Sequence, residues 1–311
     1  MSLFSWIIAL IAIFVMLACL ILSFVVSWKL THNNVRKPVN DSPEKYGLDF
    51  ERITFPSLDG TSLKGWFIPA PQPKNMTIIF AHGYRSNRLE KKLPALRLAE
   101  DLTKQGFHVL MFDFRNCGES GGSVSSIGLY EQEDILGAIQ WVKENRSSMI
   151  GLMGFSMGAS AALLAAARAP QVVGVVADSP FDELPTYLAE KFYVWTKLPS
   201  FPFTPLTLAF IRVHVGNPKN VNPKKALEKI FPRPILFIHG EDDQKIPCEN
   251  SIRMHEFYKE YSTFLKISHA DHIQGYRLDR EKYTKQVVQF FDKVVRQERT
   301  QDIEQQKQTS W

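Results

Sequence analysis

A regular alternation between continuous apolar runs and segments with a helical period constrains the fold more than any other feature of this chain. The alternation extends from about residue 47 to about residue 297, and its clearest apolar runs are Thr77–Ala81, His108–Phe112 and Met149–Met153. Strands that are apolar on both faces and alternate with helices are typical of a parallel sheet covered on both sides. The pattern therefore predicts an α/β fold, whose functional side chains lie in loops at the carboxyl ends of the strands.

The remaining strand-like runs complete a mostly parallel sheet. Phe50–Pro56 and Leu63–Ile68 flank the turn Asp59-Gly60 and predict a hairpin at the start of the domain. Further strands are predicted at Val172–Ala177, Pro234–Ile238 and Thr263–Ile267. With the three clearest runs, these segments predict a sheet of about eight strands with helices on both faces.

One long segment interrupts the alternation of strands and helices. About fifty residues, Asp182–Pro232, connect two predicted strands where a short crossover helix would suffice. The segment is rich in Phe, Leu and Pro and contains Tyr193 and Trp195. We expect it to form a helical cap over the functional site. After the final helix, the polar, Gln-rich segment Glu298–Trp311 is expected to be a frayed tail.

The first 28 residues contain no Asp, Glu, Lys or Arg, and 14 of the 20 residues of Ile7–Val26 are Ile, Leu, Phe or Val. Twenty apolar residues are enough to cross the hydrocarbon core of a bilayer as a helix. Trp6 and Trp28 lie at the two ends, where interfacial aromatic residues are common. The sequence therefore predicts a transmembrane anchor over residues 1–28, a polar linker over residues 29–46 and the α/β domain over residues 47–297.

Other interpretations fit the N-terminal segment less well. A cleaved signal peptide has a basic amino-terminal region and a shorter apolar core. A lipoprotein signal needs a suitable motif before Cys19, and Met16-Leu17-Ala18 is a poor one. A buried core helix of this length without a single charge is unusual.

Basic residues follow the apolar segment rather than precede it. Its carboxyl-terminal flank carries the charged residues Lys29, Arg36, Lys37, Asp41, Glu44 and Lys45. The positive-inside rule therefore predicts a single-pass protein of the cell membrane with its main domain on the cytoplasmic side. Cys117 and Cys248, which lie outside the anchor, are expected to be reduced thiols, as is compatible with the cytosol.

The composition excludes several classes of protein. The chain has 311 residues, 45% of them hydrophobic, with a net charge of +5 and three cysteines. A disordered chain is poorer in apolar residues, and three cysteines cannot form a disulfide framework. Lys and Arg are not gathered into a patch with interleaved aromatic residues, so no nucleic-acid partner is expected. The sequence contains neither a His, Cys and Glu cluster with metal-ligand spacing nor a Gly-rich phosphate loop, so we expect no metal and no nucleotide cofactor.

The segment Gly154–Gly158, with the sequence GFSMG, has the form G-x-S-x-G. It follows the apolar run Met149–Met153 and opens a helix of small residues, which is the strand–turn–helix setting of a nucleophile elbow. A sharp turn would hold Ser156 in a strained backbone conformation, and the flanking glycines would let strand and helix approach closely. The serine oxygen would then lie at a helix amino terminus, which favours developing negative charge.

A serine nucleophile needs a base at neutral pH, and the base needs an acid that orients it. His272 lies just past the last predicted strand, and His269 is close to it in the sequence. Three acids, Glu241, Asp242 and Asp243, follow the preceding strand. The chain order of serine, acid and histidine is that of α/β-hydrolases and differs from the order in chymotrypsin and subtilisin folds.

Several further segments between residues 50 and 297 carry recognisable motifs. His82–Tyr84 follows the first buried strand as an HG-x turn, and Asp113–Ser120 follows the next strand in the form D-x-R-N-x-G-x-S. His239–Pro247 has the form HG-x-x-D-x-x-I-P, and His272 lies four residues before Tyr276. Together with the G-x-S-x-G segment, these motifs resemble those of the α/β-hydrolase superfamily, in its serine-esterase and serine-aminopeptidase-like branch.

The resemblance implies a role for each member of a catalytic triad. Ser156 would be the nucleophile, His272 the general base, and Asp243 the acid that orients the base. Asp242 remains an alternative acid and His269 an alternative base. In this family the histidine takes the serine proton and later returns it to the leaving group.

The resemblance also implies an oxyanion hole, formed by the backbone N–H groups of Tyr84 and Met157. Outside this site, Arg115 is expected to hold its loop through hydrogen bonds. Glu131 and Asp134 follow that loop in a predicted helix, and we expect them to lie on its exposed face.

The leading functional hypothesis is a membrane-anchored serine hydrolase that cleaves small-molecule or lipid-like acyl esters through an acyl-enzyme. A peptidase or amidase would need an acid in the cap that binds a free amine, and nothing in the sequence marks Asp182, Glu183 or Glu190 for this role. A tethered scaffold without catalysis would have lost a triad member, and all three are present.

Overall fold

The structure, a computed structural model, describes residues 2–32, 35–146 and 149–309 and is built around an eight-stranded sheet. In chain order the strands are β1 (Glu51–Pro56), β2 (Ser62–Ile68), β3 (Met76–Ala81), β4 (His108–Phe112), β5 (Met149–Phe155), β6 (Val172–Asp178), β7 (Ile235–Gly240) and β8 (Ser262–Ile267). Their spatial order is β1-β2-β4-β3-β5-β6-β7-β8. β2 runs antiparallel to both neighbours, and all other pairs are parallel. The predicted mostly parallel sheet is confirmed.

Helices lie on both faces of this sheet, as the apolar strands predict. In chain order they are α1 (Leu3–Thr31), α2 (Ala95–Lys104), α3 (Glu131–Asn145), α4 (Met157–Ala166), α5 (Leu184–Thr196), α6 (Ser200–His214), α7 (Pro223–Ile230), α8 (Glu249–Phe257), α9 (Gly275–Leu278) and α10 (Arg280–Thr309). One core layer packs the sheet against α3, α4, α7 and α8. The other packs it against α2, α9 and α10.

Strand β3 shows why these runs are continuously apolar. All six of its residues are buried. Ile79 belongs to the core layer under α3 and α4, whereas Ile78 and Phe80 belong to the layer under α2 and α10. Because both faces are covered, the carboxyl ends of the parallel strands are the edge where loops can build a site.

Helix α1 differs from every other helix that the structure describes. In the described ranges it is the one helix long and apolar enough to cross a membrane. Leu10–Leu17 are all exposed, whereas Ser23, Ser27 and Thr31 are buried. The buried residues lie one turn apart along the side that packs against α6. The apolar segment is therefore a single helix whose last turns are attached to the rest of the protein.

The insertion between β6 and β7 contains two cap helices, α5 and α6, and one helix of the main core, α7. Tyr187, Leu188 and Trp195 of α5 lie near Ser156 at the carboxyl edge of the sheet. Helix α6 packs against α5, and the two helices form the cap. Helix α7 packs against α4 instead, and its residues Leu227 and Ile230 are fully buried in the main core. The cap proper therefore ends before α7, which is the crossover helix into β7.

The last helix is longer than the sequence suggests. We expected a helix near 280–297 and a frayed tail over 298–311, whereas α10 extends to Thr309. Arg280–Thr309 contains neither Gly nor Pro and is rich in Gln, Glu, Lys and Arg, which are good helix formers. The expectation of a frayed tail was therefore wrong for 298–309, and residues 310–311 lie outside the described residues.

Candidate active site

The turn between β5 and α4 holds Ser156 in a strained conformation. Its φ of 56° and ψ of −124° lie in a region that residues with a side chain rarely adopt. The Ser156 N–H donates to the Asp178 carbonyl oxygen at 2.8 Å, which ties the turn to the end of β6. The serine side chain therefore projects from the carboxyl edge of the sheet at the start of α4.

Two glycines make this turn sterically possible. A Cβ atom on Gly154 would lie 2.4 Å from the Gly158 carbonyl oxygen, and one on Gly158 would lie 2.1 Å from the Ala81 carbonyl oxygen. Both distances are far below van der Waals contact, so the strand and the helix can approach this closely only without side chains.

The substitution Gly158→Ala is expected to destabilise the protein by about 3 kcal/mol, because its Cβ would collide with the carbonyl oxygens of Ala81 and His82 at the end of β3. Gly174→Ala is a matched control, since its Cβ would meet only side-chain atoms, the nearest being Val294 Cγ2 at 3.2 Å. We expect the control to cost less than about 1 kcal/mol. Urea unfolding of the full chain in mild detergent measures both, and equal losses would contradict the steric argument.

Ser156, His272 and Asp243 form a continuous chain of hydrogen bonds. His272 Nε2 lies 2.8 Å from Ser156 Oγ, and His272 Nδ1 lies 2.7 Å from Asp243 Oδ2. An ionised carboxylate can only accept, so Nδ1 carries the proton and donates to Asp243. In the neutral ring Nε2 is then left to accept the hydroxyl proton of Ser156. This is the geometry that a general base needs.

The carboxylate of Asp243 is held ionised by its neighbours. Oδ1 accepts hydrogen bonds from the N–H groups of Lys245 and Ile246, each at 2.9 Å. Oδ2 lies 3.2 Å from His239 Nε2 in addition to its bond with His272. Burial opposes ionisation, but the hydrogen bonds from His239 and His272 outweigh it and hold the pKa of Asp243 well below its usual range. Asp243 therefore stays a carboxylate when the adjacent imidazole gains a proton.

The two alternative residues lie away from this chain of hydrogen bonds. The side chain of His269 is 89% exposed and lies 3.8 Å from that of Asp242, which is 58% exposed. Asp243 and His272, in contrast, are buried and in direct contact. The geometry therefore favours Asp243 and His272 over Asp242 and His269.

The two predicted oxyanion donors are free to bind a ligand. Met157 is the first residue of α4, so its N–H has no acceptor within the helix. In the part of the chain that the structure describes, neither this N–H nor that of Tyr84 has a hydrogen-bond partner. Gly83, which precedes Tyr84, approaches Ser156 so closely that a Cβ there would lie 3.4 Å from the serine Cβ. Both donors therefore belong to segments beside Ser156.

A residue that the sequence analysis missed holds this turn in place. The Gly83 N–H donates to Glu90 Oε2 at 2.8 Å. His82 Nδ1 donates to the Gly83 carbonyl oxygen, and its Nε2 accepts from the Phe114 N–H at 2.9 Å. Burial lowers the pKa of His82, which suits a neutral ring with one donor and one acceptor. No sequence motif marks Glu90, because its role depends on its hydrogen bond with Gly83, which lies seven positions earlier in the chain.

Comparisons with known proteins agree with this architecture. A family model described as the alpha/beta hydrolase fold matches residues 77–215. The uncharacterized protein YqkD of Bacillus subtilis is 32% identical over 276 residues, which are 86% of this chain and 88% of YqkD. The chain belongs to the α/β-hydrolase superfamily. The predicted α/β-hydrolase fold is thereby confirmed.

Two proteins with named activities are also similar to this α/β-hydrolase. An esterase of Pyrococcus furiosus has the same fold with a TM-score of 0.71 and 27% identity, over 85% of this chain and 98% of the esterase. Lysophosphatidylserine lipase ABHD12 of Danio rerio is 24% identical over 199 residues, which are 61% of this chain and 49% of the lipase. The similarity to hydrolases supports a hydrolase function for this chain.

The loop after β4 of this α/β-hydrolase is fixed by buried ion pairs. Arg115 donates from Nε and Nη2 to Asp134 Oδ1 at 2.9 and 2.6 Å, and its other contacts reach Asp59. Glu131 accepts from the backbone N–H groups of Ser126 and Gly128. Asp134 and Glu131 are both 0% exposed. Our expectation that these two acids lie on an exposed helix face was therefore wrong, because the preceding loop folds over them and supplies their donors.

Removal of one partner of the Arg115–Asp134 pair should be costly. Arg115→Ala is expected to lower the free energy of unfolding by about 3–5 kcal/mol, because it leaves a buried carboxylate without its charge partner. Arg168→Ala breaks a more exposed pair with Glu133 and is expected to cost less than about 1 kcal/mol. Chemical denaturation of the two variants distinguishes these outcomes, and a small loss for Arg115→Ala would show that the pair is dispensable.

The other potential nucleophiles of this α/β-hydrolase are unreactive. Burial raises the pKa of Cys117 to about 12 and that of Cys248 to about 11. Both thiols therefore stay protonated at neutral pH, and a protonated thiol is a weak nucleophile. The hydroxyl of Ser156, in contrast, lies 2.8 Å from the Nε2 atom of His272.

A small apolar cavity of about 50 Å³ opens beside Ser156. Its walls come from the anchor-like helix, the cap and the site loops: Leu30, Tyr84, Ile127, Met157, Phe181, Tyr187, Leu188, Trp195 and Ile246. Among the residues that the structure describes, no charged side chain lines it. The contribution of Leu30 was not predicted, because nothing in an apolar membrane-length segment indicates that its last turn reaches the site.

Proposed function

We propose that this α/β-hydrolase is a membrane-anchored serine hydrolase that cleaves carboxylic esters through Ser156, His272 and Asp243. The observation that supports the proposal most strongly is the chain of hydrogen bonds at 2.8 and 2.7 Å that links the three side chains. It joins a nucleophile, a base and an orienting acid in the order that acyl transfer requires.

The first half of the reaction forms an acyl-enzyme. Ser156 Oγ attacks the ester carbonyl carbon while its proton moves to His272 Nε2. The carbonyl oxygen becomes an oxyanion, which the N–H groups of Tyr84 and Met157 stabilise. The carbon–oxygen bond to the alcohol then breaks, and His272 returns its proton to the leaving alkoxide.

The second half releases the acid. A water molecule donates its proton to His272 Nε2 and attacks the acyl carbon, and collapse of the second oxyanion returns the proton to Ser156. In both halves Asp243 accepts a hydrogen bond from Nδ1 and stabilises the imidazolium while it exists. Because the pKa of Asp243 is well below its usual range, its negative charge is present at neutral pH.

The cavity favours an acyl group over a charged peptide. Apolar walls suit a hydrocarbon chain. Two similar proteins are named as an esterase and as a lysophosphatidylserine lipase, and both names denote ester hydrolysis. A peptidase that recognises a free amino terminus would need an acid in reach of the cavity. Asp182 instead binds Arg253 at 2.7 Å, and neither Glu183 nor Glu190 lines the cavity.

Paired substrates test the choice between ester and amide. The full chain in mild detergent is assayed on p-nitrophenyl esters from acetyl to palmitoyl and on p-nitroanilides with the same acyl groups. We expect turnover of esters, with a chain-length optimum that reports the size of the cavity, and little turnover of anilides. Preference for the anilides would favour the peptidase or amidase hypothesis. If the folded protein turned over neither substrate, the hypothesis of a scaffold without catalysis would be favoured.

We also propose that α1 anchors the protein in the cell membrane with the main domain in the cytoplasm. The length and apolar character of α1 support the anchor, and the basic residues that follow it support the orientation. The protein is expected to resist extraction from membranes by alkaline carbonate. In sealed right-side-out vesicles its C-terminus should be protected from protease, and cleavage there would reverse the orientation.

A further inference from the structure

The cap carries an exposed apolar surface, which we call the cap face: Tyr193, Val194, Trp195, Phe201 and Val213. Phe201 is 82% exposed and Val213 is 84% exposed. Large apolar side chains with this exposure are costly in water when they are gathered on one surface. We therefore expect the cap face to be covered by something other than the sheet and its helices.

The sequence of α6 supports an apolar surrounding. Leu198–Ile211 contains no charged residue. In the helical part of α6, Pro205, Ala209 and Val213 are exposed and four positions apart, so they form a stripe along the side that is not covered by protein. Phe201, whose φ of −102° and ψ of 134° are not helical, is exposed at the start of the same segment. A cap helix exposed to water would normally carry charges on such a stripe.

Helix α6 packs directly along the end of α1. The rings of Phe24 and Phe210 meet edge to face with centroids 5.5 Å apart. Two turns further along α1 and one turn further along α6, Thr31 Oγ1 lies 3.1 Å from His214 Nε2. Since Phe24 precedes Thr31 and Phe210 precedes His214, the two helices run in the same general direction. Helix α6 therefore extends from its end at His214 back toward the membrane-length part of α1.

The length of α1 places this contact at the surface of a bilayer. Its uncharged stretch from Leu3 to Trp28 has 26 residues, which as a helix is about 39 Å, whereas the hydrocarbon core is about 30 Å thick. The excess of about 9 Å, less than two turns, is shared between the interfacial layers at the two ends of the helix, where Trp6 and Trp28 lie. Trp28 is therefore at the interface and Phe24 is one turn closer to the hydrocarbon core, so the part of α6 beside them lies at the boundary between the two.

The cavity beside Ser156 lies between these same elements. Leu30 of α1 and Trp195 of the cap face are both among its lining residues. The Tyr84 hydroxyl donates to the Leu30 carbonyl oxygen, which fixes the end of α1 against the segment that carries a predicted oxyanion donor. The cavity is therefore walled by α1 and by the cap, the two elements that lie at the membrane surface in this arrangement.

We infer that the cap face is inserted into the interfacial layer of the leaflet where α1 ends, so that an acyl chain passes from the bilayer, between α1 and the cap, to Ser156. The occupant of the cap face is thus lipid. The route of the acyl chain rests on the proposed esterase function, whereas the insertion of the cap face rests only on the proposed membrane anchor.

The position of the cap face can be measured without any assay of activity. The full chain carrying Cys19→Ser receives the fluorophore NBD at Phe201→Cys or, as a control, at Phe257→Cys. Phe257 is 50% exposed and ends α8 at the opposite edge of the sheet. The native thiols of Cys117 and Cys248 are buried. Each protein is placed in phosphatidylcholine nanodiscs, one copy per disc, with or without 5-doxyl or 16-doxyl lipid.

We expect blue-shifted emission and strong quenching by 5-doxyl lipid at position 201, weaker quenching by 16-doxyl lipid, and neither effect at position 257. Iodide in the water should quench position 257 alone. If position 201 behaved like position 257, the inference would be overturned. Shielding from iodide without quenching by lipid would also overturn it and would identify a protein, such as a second copy of this chain, as the occupant.

The route of the substrate is tested with two esters that share a leaving group. Phe201→Glu and Val213→Glu are compared with Phe257→Glu on 4-methylumbelliferyl oleate in phosphatidylcholine vesicles and on soluble 4-methylumbelliferyl butyrate. We expect the two cap-face variants to lose about tenfold in rate on the oleate alone, and the control to lose nothing on either ester. Equal effects on both esters would overturn the membrane route. Absence of hydrolysis by the unsubstituted protein would instead refute the esterase function and leave the quenching result intact.

Discussion

Replacement of Ser156 by alanine is expected to lower ester turnover by about 10⁴–10⁶-fold, the largest effect of any single substitution in this protein. The alanine variant keeps the base and the oxyanion donors but lacks the atom that forms the acyl-enzyme. Because Ser156 is held by backbone bonds to neighbouring elements, including the 2.8 Å bond to Asp178, the turn should persist. Initial rates on the best p-nitrophenyl ester measure the loss, and circular dichroism checks the fold.

A double variant provides the control for this expectation. If Ser156 and His272 act as one unit, Ser156→Ala combined with His272→Ala should be no slower than Ser156→Ala alone. Independent contributions would instead multiply. A single variant that kept more than a tenth of the normal rate would exclude Ser156 as the nucleophile.

Asp243→Asn is expected to lower turnover by about 10⁴-fold with little change in structure. The carboxylate accepts a hydrogen bond from His272 Nδ1 at 2.7 Å and so fixes the proton on that nitrogen. An asparagine amide can present a donor to Nδ1, which would move the proton to Nε2. A protonated Nε2 cannot accept the proton of Ser156, so the base is lost although every side chain is still in place.

The neighbouring acid is a matched control. Asp242→Asn makes the same chemical change one residue earlier, at a side chain that is 58% exposed and near His269 rather than His272. Its rate should stay within about threefold of the unsubstituted protein, as for most exposed positions. Comparable losses in the two variants would point to an effect of loop structure or total charge instead of the tautomer of His272.

The sequence was most informative where local pattern and chemistry coincide. The elbow around Ser156 could be located because its strand, its glycines and its helix are contiguous in the chain. Asp243 and His272 follow the ends of β7 and β8, which are neighbours in the sheet, so the rule that loops at the carboxyl edge meet was enough to bring them together. The alternating pattern likewise predicted the mostly parallel sheet.

The sequence was less informative where a residue depends on a distant partner. In the sequence, Asp134 has the position of an exposed acid on a helix. It is buried because Arg115, 19 residues earlier in the chain, binds its carboxylate. Leu30 looks like the end of an apolar segment, and its place beside Ser156 depends on the packing of α1 against α6. Such tertiary contacts leave no periodic pattern in the sequence, so they cannot be predicted from local segments.

Covalent labelling shows directly whether Ser156 is the nucleophile. The full chain in mild detergent is treated with a fluorophosphonate, which reacts with activated serines, and its peptides are analysed by mass spectrometry. We expect a single adduct on Ser156, formed rapidly by the unsubstituted protein, slowly by Asp243→Asn and not at all by Ser156→Ala. Folded protein that acquires no adduct, or acquires it on another residue, would contradict the assignment of this α/β-hydrolase as a serine hydrolase acting through Ser156.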